Sequence, residues 1–452
     1  MEDPSANNSR EIDEENLITE DEFPQEDQRY FDGRRMHKVP QSMRLKKHKE
    51  EDCYAPKMVS FGPYNHGLSE LRMVEEFKPS VLTMIVSSSG KDREFFYYKI
   101  LEVIDQVRNC YVGVSRDVYD DGALAEMMLL DACFAIYLMK IGVEDDKEMS
   151  FHFNQHFGGA DYSFAFGDMC LLENQIPLWV IELTINLIYG NKEKSMLLLN
   201  WLSTSVFGDY RVTEIPGEDK KQPLHFLDAY RRLLVKKRDN AGTNLDQPVS
   251  KCQWFLRWPW RKESQHAFGK FNRQFRSVTE LKAKGIYFKP SSNFLKDVTF
   301  KSYTFFGQLQ LPIWFFSDHS KQFFQNMIAY EDSPESVVGF SIICYINFLK
   351  SLIVKPEDVK ELREKKILFS SLGDEQVVQV IKEIDTFGLD QPTIFNDVKM
   401  RIEKHCSNKA KTWIAELIHT YFRNPWTFIA LLAATILLCL TFIQTYYTVN
   451  KL

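Results

Sequence analysis

The sequence predicts a mainly helical (α+β) protein with a large helical globular domain, a small antiparallel β element and one C-terminal transmembrane helix. Three observations support this fold class. Apolar residues recur at helical spacing at 96–111, and the runs at 127–139 and 176–188 are apolar almost all round, as buried helices are. Short segments that alternate between apolar and polar residues follow Gly285. The last part of the chain is a long apolar stretch without charged residues.

The composition and charge of the chain indicate which partners and which cellular compartment to expect. Hydrophobic residues make up 44% of the 452 positions, which is enough to bury a large core. The net charge of -6 is small for this length, so no nucleic-acid partner is expected. The eight cysteines form no CxxC pair, and the acidic N-terminus lacks the pattern of a signal peptide. Both features favour a cytosolic domain with reduced thiols.

The predicted organisation has five parts. They are a disordered acidic-then-basic tail at 1–40, a helical lobe at 41–237, a connector at 238–276, a second lobe of short strands and then helices at 277–421, and a transmembrane anchor at 424–447. In the second lobe, strands are expected at 286–288, 298–300 and 311–313, with turns at Gly285 and Gly307.

The connector contains the run WFLRWPWRK at 254–262. Aromatic residues interleaved with arginine can stack on nucleobases or lie on a lipid surface. Pro259 interrupts regular structure within the run, so a variable linker is the favoured interpretation.

The terminal apolar stretch at 426–443 has the length of a membrane-spanning helix. At a rise of ~1.5 Å per residue it extends about 27 Å, close to the thickness of the hydrocarbon layer. Trp426 marks one interface, and Tyr446 and Tyr447 mark the other. Four basic residues lie between 404 and 423, whereas only Lys451 follows the span. The positive-inside rule then predicts a single-pass, tail-anchored protein whose N-terminal domain is cytosolic.

Two other apolar stretches are predicted to be buried helices of the globular domain. Residues 123–141 include Glu126 and Asp131, and a carboxylate near the middle of a bilayer costs ~2.5–3.5 kcal/mol. Residues 337–354 include Asn347 and Lys350. These polar groups make insertion into lipid unfavourable for both stretches.

The chain contains no complete catalytic motif, and no cofactor is expected. Four carboxylates nevertheless lie in or beside apolar runs: Glu126, Asp131, Asp168 and Glu173. Paired carboxylates act as acid and base in glycoside hydrolases, so one hypothesis is an uncharacterised hydrolase-like enzyme. The alternative is a structural role, because a buried acid needs hydrogen-bond partners. The polar run at 173–175, expected at the start of a helix, favours the structural role.

Three histidines are further candidates for chemistry. His152 and His156 have the i, i+4 spacing of two metal ligands on a helix, with Asp161 as a third ligand. The glycine pair at 158–159 instead predicts a loop, so a metal site is not favoured. His66 lies in a Gly-Pro-aromatic segment that is typical of a shaped loop.

Several of these segments resemble the plant family called domain of unknown function 247. The blocks that carry the resemblance occur in family order: VSFGPYNHG at 59–67, MMLLDACF at 127–134, GDMCLLENQIPLWVIEL at 167–183, SVTELKAKGIYFK at 277–289, NMIAYE at 326–331 and NPW at 424–426. The family-motif residues among them are Gly62, Pro63, Tyr64, His66, Asp131, Glu173, Asn174, Gln175 and Pro177. The family pattern has a second histidine where this chain has Asn65, which argues against a two-histidine site.

The resemblance implies a mainly helical plant protein with a C-terminal anchor, and it implies no biochemical activity. Members of the family are implicated in self-incompatibility and sex determination. The expected function is therefore a non-catalytic, membrane-anchored role in recognition or signalling, in reproductive development by resemblance. The expected partners are membrane lipid at 424–447 and an unknown protein.

Overall fold

A computed structural model provides the fold of the chain. It describes residues 32–45, 52–87, 89–144, 147–159, 161–190, 197–198, 200–202, 221–235, 276–291, 295, 298–334, 339–391, 394–408 and 425–449.

Helices dominate the described residues, as the sequence predicts. They are α1 (Gln41–Leu45), α2 (Arg72–Ser87), α3 (Arg93–Leu101), α4 (Ile104–Asn109), α5 (Asp121–Glu144), α6 (Lys147–His156), α7 (Asp161–Met169), α8 (Leu178–Tyr189), α9 (Phe226–Val235), α10 (Val278–Ala283), α11 (Ser320–Glu331), α12 (Ser341–Leu352), α13 (Pro356–Glu364), α14 (Asp374–Glu383), α15 (Asn396–Cys406) and α16 (Pro425–Val449). The strands are β1 (Ile286–Pro290), β2 (Thr299–Ser302), β3 (Gly307–Leu311), β4 (Trp314–Phe316) and β5 (Leu368–Ser370).

Helix α5 is the central element of the first part of the fold. It packs against α2, α3 and α8, and its apolar residues occur on all sides because neighbouring helices surround it. Two described helices are long and apolar enough to cross a membrane, at Asp121–Val143 and Leu432–Val449. Within the first, 78% of an apolar 18-residue window is buried inside the protein, so the prediction that this stretch is a core helix is confirmed.

The β element is small, but its pairing differs from the prediction. The three-stranded sheet has the order β1-β3-β2, in which β2 and β3 are antiparallel but β1 and β3 are parallel. A second pair, β4 and β5, is also parallel. The strand expected at 311–313 is wrong, since β3 ends at Leu311 and β4 begins at Trp314. Pro312 lies between them and has no N–H for a ladder hydrogen bond.

The two predicted lobes share one hydrophobic core. Its buried residues run from Met36 to Cys406 in a single cluster that includes residues of α5, α9, α11 and α12. Residues 32–40, predicted to be part of a disordered tail, belong to this body. Met36 forms an isolated parallel bridge with Tyr111 and is 1% exposed. Residues 1–31 and nearly all of the predicted connector lie outside the described residues.

Helix α16 differs from the other helices in its exposure. No residue in its apolar stretch, Leu432–Val449, is buried. Trp426, Tyr446 and Tyr447 are also exposed. The helix therefore presents apolar side chains that nothing else in the described chain covers.

Candidate functional site

The family-motif residues converge on one segment, residues 57–67, which we call the motif loop. The carboxylate of Asp168, near the end of α7, accepts hydrogen bonds from three consecutive backbone N–H groups of this loop. The distances are 3.0 Å to Lys57, 2.7 Å to Met58 and 2.9 Å to Val59. Burial raises the pKa of Asp168 to about 6, although these N–H groups oppose the rise.

Asn174 continues the same bracing of the motif loop. Its side-chain oxygen accepts from the Phe61 N–H at 2.9 Å and from the Asn65 amide at 3.2 Å. Its amide group donates to the carbonyl of Val59 at 2.9 Å and to that of Asp168 at 3.0 Å. Asn174 lies in the turn before α8 rather than within the helix, and its side chain is 1% exposed.

Gly62 lies where the motif loop touches the segment before α8. Its φ of +75° is in the left-handed region that favours glycine. A Cβ at this position would overlap the backbone carbonyl oxygen of Gln175 and lie 3.0 Å from the Tyr111 hydroxyl. Only a residue without a side chain lets the two motif segments approach this closely.

We expect Gly62→Ala to lower the free energy of unfolding by about 2–4 kcal/mol, because the change adds a steric overlap to backbone strain. Gly67→Ala is the matched control in the same loop. Its φ is +84°, but a Cβ there would meet no atom within 4 Å. The control should lose only about 1–2 kcal/mol, from backbone strain. Equal losses in chemical denaturation of both variants would contradict the close approach at Gly62.

A buried ion pair links the motif loop to the central helix. The Lys78 ammonium donates to Asp131 Oδ1 at 2.6 Å, to Glu75 Oε1 at 2.5 Å and to the carbonyl of Ser60 at 2.7 Å. Lys78 is 0% exposed and Asp131 is 1% exposed. The second Asp131 oxygen accepts from the Gly62 N–H at 2.7 Å. Burial raises the pKa of Asp131, and the charge of Lys78 opposes that rise.

The other motif-loop residues contact the edges of this network. The His66 ring lies 3.7 Å from Glu75 Oε2, on an exposed residue of the loop. The Tyr64 hydroxyl lies 2.7 Å from the carbonyl of Met36 and accepts from the Val112 N–H at 3.0 Å. Pro63 follows Gly62, and its carbonyl lies 3.4 Å from the Tyr119 hydroxyl. These contacts attach residues 36 and 112 to the loop.

Glu173 and Gln175 form hydrogen bonds to other segments of the chain, mostly to backbone groups. Glu173 accepts from the Val39 N–H at 2.6 Å and from Arg44 at 2.7 Å. Gln175 donates to the carbonyls of Met169 and Leu171, and its oxygen accepts from a backbone N–H of α9. Pro177 is the N-cap residue of α8. The run at 173–177 therefore organises a turn.

A second buried ion pair joins α9 to α11. Arg231 Nε donates to Glu331 Oε1 at 2.9 Å, and both side chains are 0% exposed. Glu331 also accepts from the N–H groups of Ile342 and Ile343, each at 3.0 Å, at the start of α12. Burial raises the pKa of Glu331, although Arg231 opposes the rise. The sequence marks Glu331 only as the last residue of the NMIAYE block and does not predict this pairing.

Several buried partners were not predicted: Lys78, Arg231, Arg232, Asp228 and Asn326. Each stands in an apolar helical run, which is the signal that could have identified it. Asp228, for example, accepts from Arg232 Nε at 2.9 Å. Their partners are distant in sequence in most cases, so the pairing itself could not be predicted from local pattern.

His225 lies at the start of α9 and is fully buried against Tyr330. Its Nδ1 accepts from the Asp228 N–H at 3.2 Å, as an N-cap residue does. Burial lowers the pKa of His225 to about 4; Asp228 opposes this shift, and Arg34 and Arg232 add to it. The folded protein therefore holds this ring neutral at pH values where the unfolded chain protonates it.

The unfolded chain should bind one more proton than the folded chain between the His225 pKa of about 4 in the folded state and the ordinary histidine pKa of 6.5. The stability that neutral His225 supports is present above pH 6.5 and is lost as the pH falls through 4, with a slope of about 1.4 kcal/mol per pH unit. His225→Asn keeps an N-cap acceptor and cannot titrate. We expect its unfolding free energy to fall less steeply across this window. The unfolding free energy of the variant at neutral pH measures any change in packing. If its slope between pH 4 and 6.5 equals that of the unmodified protein, His225 is not the group that titrates.

The remaining candidates do not assemble into a reactive site. Glu126 pairs with Arg93 on the partly exposed surface. His152 and His156 lie on α6, so the loop predicted there is wrong, and both rings pack against Phe77. Among the described residues, no group of three His, Cys, Asp or Glu side chains is arranged to hold a metal ion. Asp161 is the first residue of α7.

The chemistry of the carboxylates follows from their partners. Both oxygens of Asp131 and of Asp168 accept hydrogen bonds from this chain, and both residues are buried. A general acid or base, in contrast, must be able to reach the substrate atom that it protonates or deprotonates. The geometry therefore gives these two acids a structural role, in which they fix the motif loop against α5, α7 and the turn before α8.

The fold and this network define a class: a helical α+β protein whose characteristic motifs form an internal brace. The family described as plant protein of unknown function, DUF247, matches residues 36–440. The chain belongs to this plant family, as the resemblance of its motifs predicted.

Two proteins of Arabidopsis thaliana are similar to most of the chain. UPF0481 protein At3g47200 is 25% identical over 415 residues, which cover 87% of this chain and 82% of that protein. Putative UPF0481 protein At3g02645 is 23% identical over 477 aligned positions, which cover 87% of each. No solved structure matches the chain.

Proposed function

We propose that this protein is a non-catalytic recognition or signalling protein, anchored by α16 in a membrane and facing the cytosol. The observation that carries the proposal is the exposure of an apolar helix. Pro425–Val449 contains no charged residue, and the side chains of Leu438 and Phe442 are 72% and 75% exposed. An apolar surface of this extent requires a covering partner, and lipid fits its length.

The insertion energy supports lipid as that partner. Leucine, isoleucine, phenylalanine and valine each favour a mid-membrane position by about 0.3–0.6 kcal/mol. Ten such residues in 428–443 together favour insertion by roughly 3–6 kcal/mol, with no charge to oppose them. Trp426 at one end and Tyr446 with Tyr447 at the other suit the two interfaces.

The charges beside α16 support the orientation. Lys404, Lys409, Lys411 and Arg423 precede the helix, and Lys451 follows it. Basic residues are retained on the cytosolic side, so the globular domain lies there in the proposal. A reduced compartment also suits the buried thiols of Cys133 and Cys170, whose pKa values burial raises.

The non-catalytic part of the proposal is supported by the internal role of the motif acids. Asp131 and Asp168 are buried and bind backbone groups inside the domain. In the proposal, a protein partner binds elsewhere, on the surface of the domain. The reproductive setting, self-incompatibility or sex determination, is part of the proposal through the family resemblance alone.

Extraction and protease protection of the full-length protein test the membrane placement. An integral protein should stay with the membranes in alkaline carbonate and be released by detergent. A reporter fused before residue 1 should be digested by protease added to sealed, cytosol-out vesicles, whereas a tag after Leu452 should be protected. Release by carbonate, or digestion of the C-terminal tag in intact vesicles, would contradict the proposal.

A further inference from the structure

The turn between β2 and β3 carries an exposed group of aromatic side chains. Tyr303, Phe305 and Phe306 occupy this turn and are 42%, 59% and 39% exposed, and Tyr287 on β1 is 47% exposed. The Phe306 ring stacks on Tyr303 at 4.7 Å and contacts Tyr287 edge-on at 5.8 Å. We call these four residues the aromatic hairpin. The rings of Tyr287, Tyr303 and Phe306 are in contact with one another through Phe306, and Phe305 is its exposed neighbour in the turn.

The outward face of the same sheet is basic. Lys289 on β1 and Lys301 on β2 point away from the core, in the same direction as Tyr287. The three strands contain no acidic residue. Aromatic rings beside lysines suit the interfacial region of a bilayer, where rings sit at the depth of the headgroups and lysines meet anionic lipid.

The aromatic hairpin also lies beside the point from which the chain continues to α16. Ser302 Oγ lies 2.8 Å from Nδ1 of His405, in the last turn of α15, and the His405 ring contacts Phe300. Asn408 and Pro425 are separated by 16 residues. Even fully extended, that segment reaches at most about 60 Å. The segment is also basic at Lys409, Lys411 and Arg423.

We propose that the aromatic hairpin, with Lys289 and Lys301, is a second membrane contact that rests on the anionic headgroup surface of the leaflet entered by α16. The inference rests on the proposed function, because α16 must first hold the domain near the bilayer. Tethering raises the effective concentration of the surface beside the lipid, so a contact too weak to recruit a free domain can still orient a tethered one.

Location favours lipid over other partners of similar chemistry. A sheet face with aromatic and lysine residues could also stack the bases of a single-stranded nucleic acid. The hairpin, however, adjoins the start of the segment that leads to the apolar helix, and the chain carries a net charge of -6. A localised basic face on an acidic chain fits a surface held close to an anionic leaflet.

Hydrogen exchange of the full-length chain in lipid nanodiscs tests the inference. One set of nanodiscs contains phosphatidylcholine alone, and the other contains equal parts of phosphatidylcholine and phosphatidylserine. We expect amides of residues 301–308 to exchange about tenfold more slowly in the anionic nanodiscs, the factor given by about 1.4 kcal/mol of contact. Phe305→Ser/Phe306→Ser and Lys289→Gln/Lys301→Gln should each remove this protection.

Phe315→Ser/Phe369→Ser is the matched control. These two exposed rings are register partners on β4 and β5, away from the aromatic hairpin in sequence and sheet. The control should keep the protection. Exchange of the β1 and β3 amides in detergent should be equal in all variants, which would establish that each folds.

The outcomes separate this inference from the proposed function. If carbonate strips the chain from vesicles, the membrane anchor itself is wrong. If α16 remains embedded but residues 301–308 exchange equally in both nanodiscs, the second contact is wrong and the anchor stands. Protection of the hairpin by a single-stranded oligonucleotide, without an effect of anionic lipid, would also overturn the inference.

Discussion

Lys78→Met is expected to lower the free energy of unfolding by about 3–5 kcal/mol, the usual cost of leaving one member of a buried ion pair alone. The methionine keeps most of the volume and packing of the lysine stem. It leaves the Asp131 carboxylate without a cation and the Ser60 carbonyl without its Lys78 donor. Urea denaturation of the full-length protein in mild detergent, followed by circular dichroism, measures the loss.

The dependence on pH distinguishes lost charge from lost packing. Without Lys78, the pKa of Asp131 must rise further, since burial already raises it and the opposing charge is gone. The deficit of the variant should therefore be largest at high pH and shrink as Asp131 takes up a proton. Adding Asp131→Asn should recover part of the loss, because the amide oxygen can still accept from Gly62.

An exposed ion pair provides the control for Lys78. Arg72 and Glu76 lie on the same helix at 2.6 Å, with side chains 79% and 63% exposed. Breaking this pair with Arg72→Met should cost no more than about 1 kcal/mol, because water solvates both charges. A loss for Lys78→Met as small as that of the control would mean that the network does not stabilise the fold.

Deleting residues 424–452 should transfer the protein almost completely from the membrane fraction to the soluble fraction. The unfolding midpoint should not change, because no residue of the apolar stretch in α16 is buried against the globular domain. Fractionation of cells that express both forms, followed by thermal denaturation of the soluble form, measures the two expectations. A truncated protein that still sediments with membranes, or that unfolds at a lower temperature, would contradict the placement.

Charge substitutions test the same helix without changing its length. Leu437→Lys/Leu438→Lys places two ammonium groups near mid-bilayer, at about 2.5–3.5 kcal/mol each. The combined cost is comparable to the whole driving force for insertion, so the variant should leave the membrane. Leu437→Ala/Leu438→Ala alters the same exposed positions without charge and should remain inserted.

Helices were predictable where one physical signal dominated. The apolar stretches that became α5, α12 and α16 exceed what any loop can carry, so composition alone identified them. The sequence predicts a loop where α6 lies, because the glycines that follow outweigh a weak apolar pattern. The parallel pairing of β1 with β3 could not be predicted, because glycine turns mark where a strand ends but not which strand becomes its neighbour.

At the candidate site, too, local features could be predicted from the sequence, whereas contacts between distant residues could not. The sequence indicated that the segment around Gly62 forms a shaped loop and that the nearby acids need partners. It could not indicate that Gly62 meets the carbonyl of Gln175, or that Lys78 pairs with Asp131. Both contacts join positions far apart in the chain, and they exist only once the helices have packed.

Buried contacts join the part of the chain before residue 236 to the part after residue 275. Arg231 binds Glu331, and Asn326 bonds the backbone of Cys53 at 2.9 Å and of Leu172 at 2.9 Å. The parts of the chain before and after this stretch are therefore held to each other by a salt bridge, by amide hydrogen bonds and by apolar packing. None of these contacts involves the residues between the two parts. Because these contacts join the two flanking parts directly, a protease cut between them would leave the two fragments together in one particle.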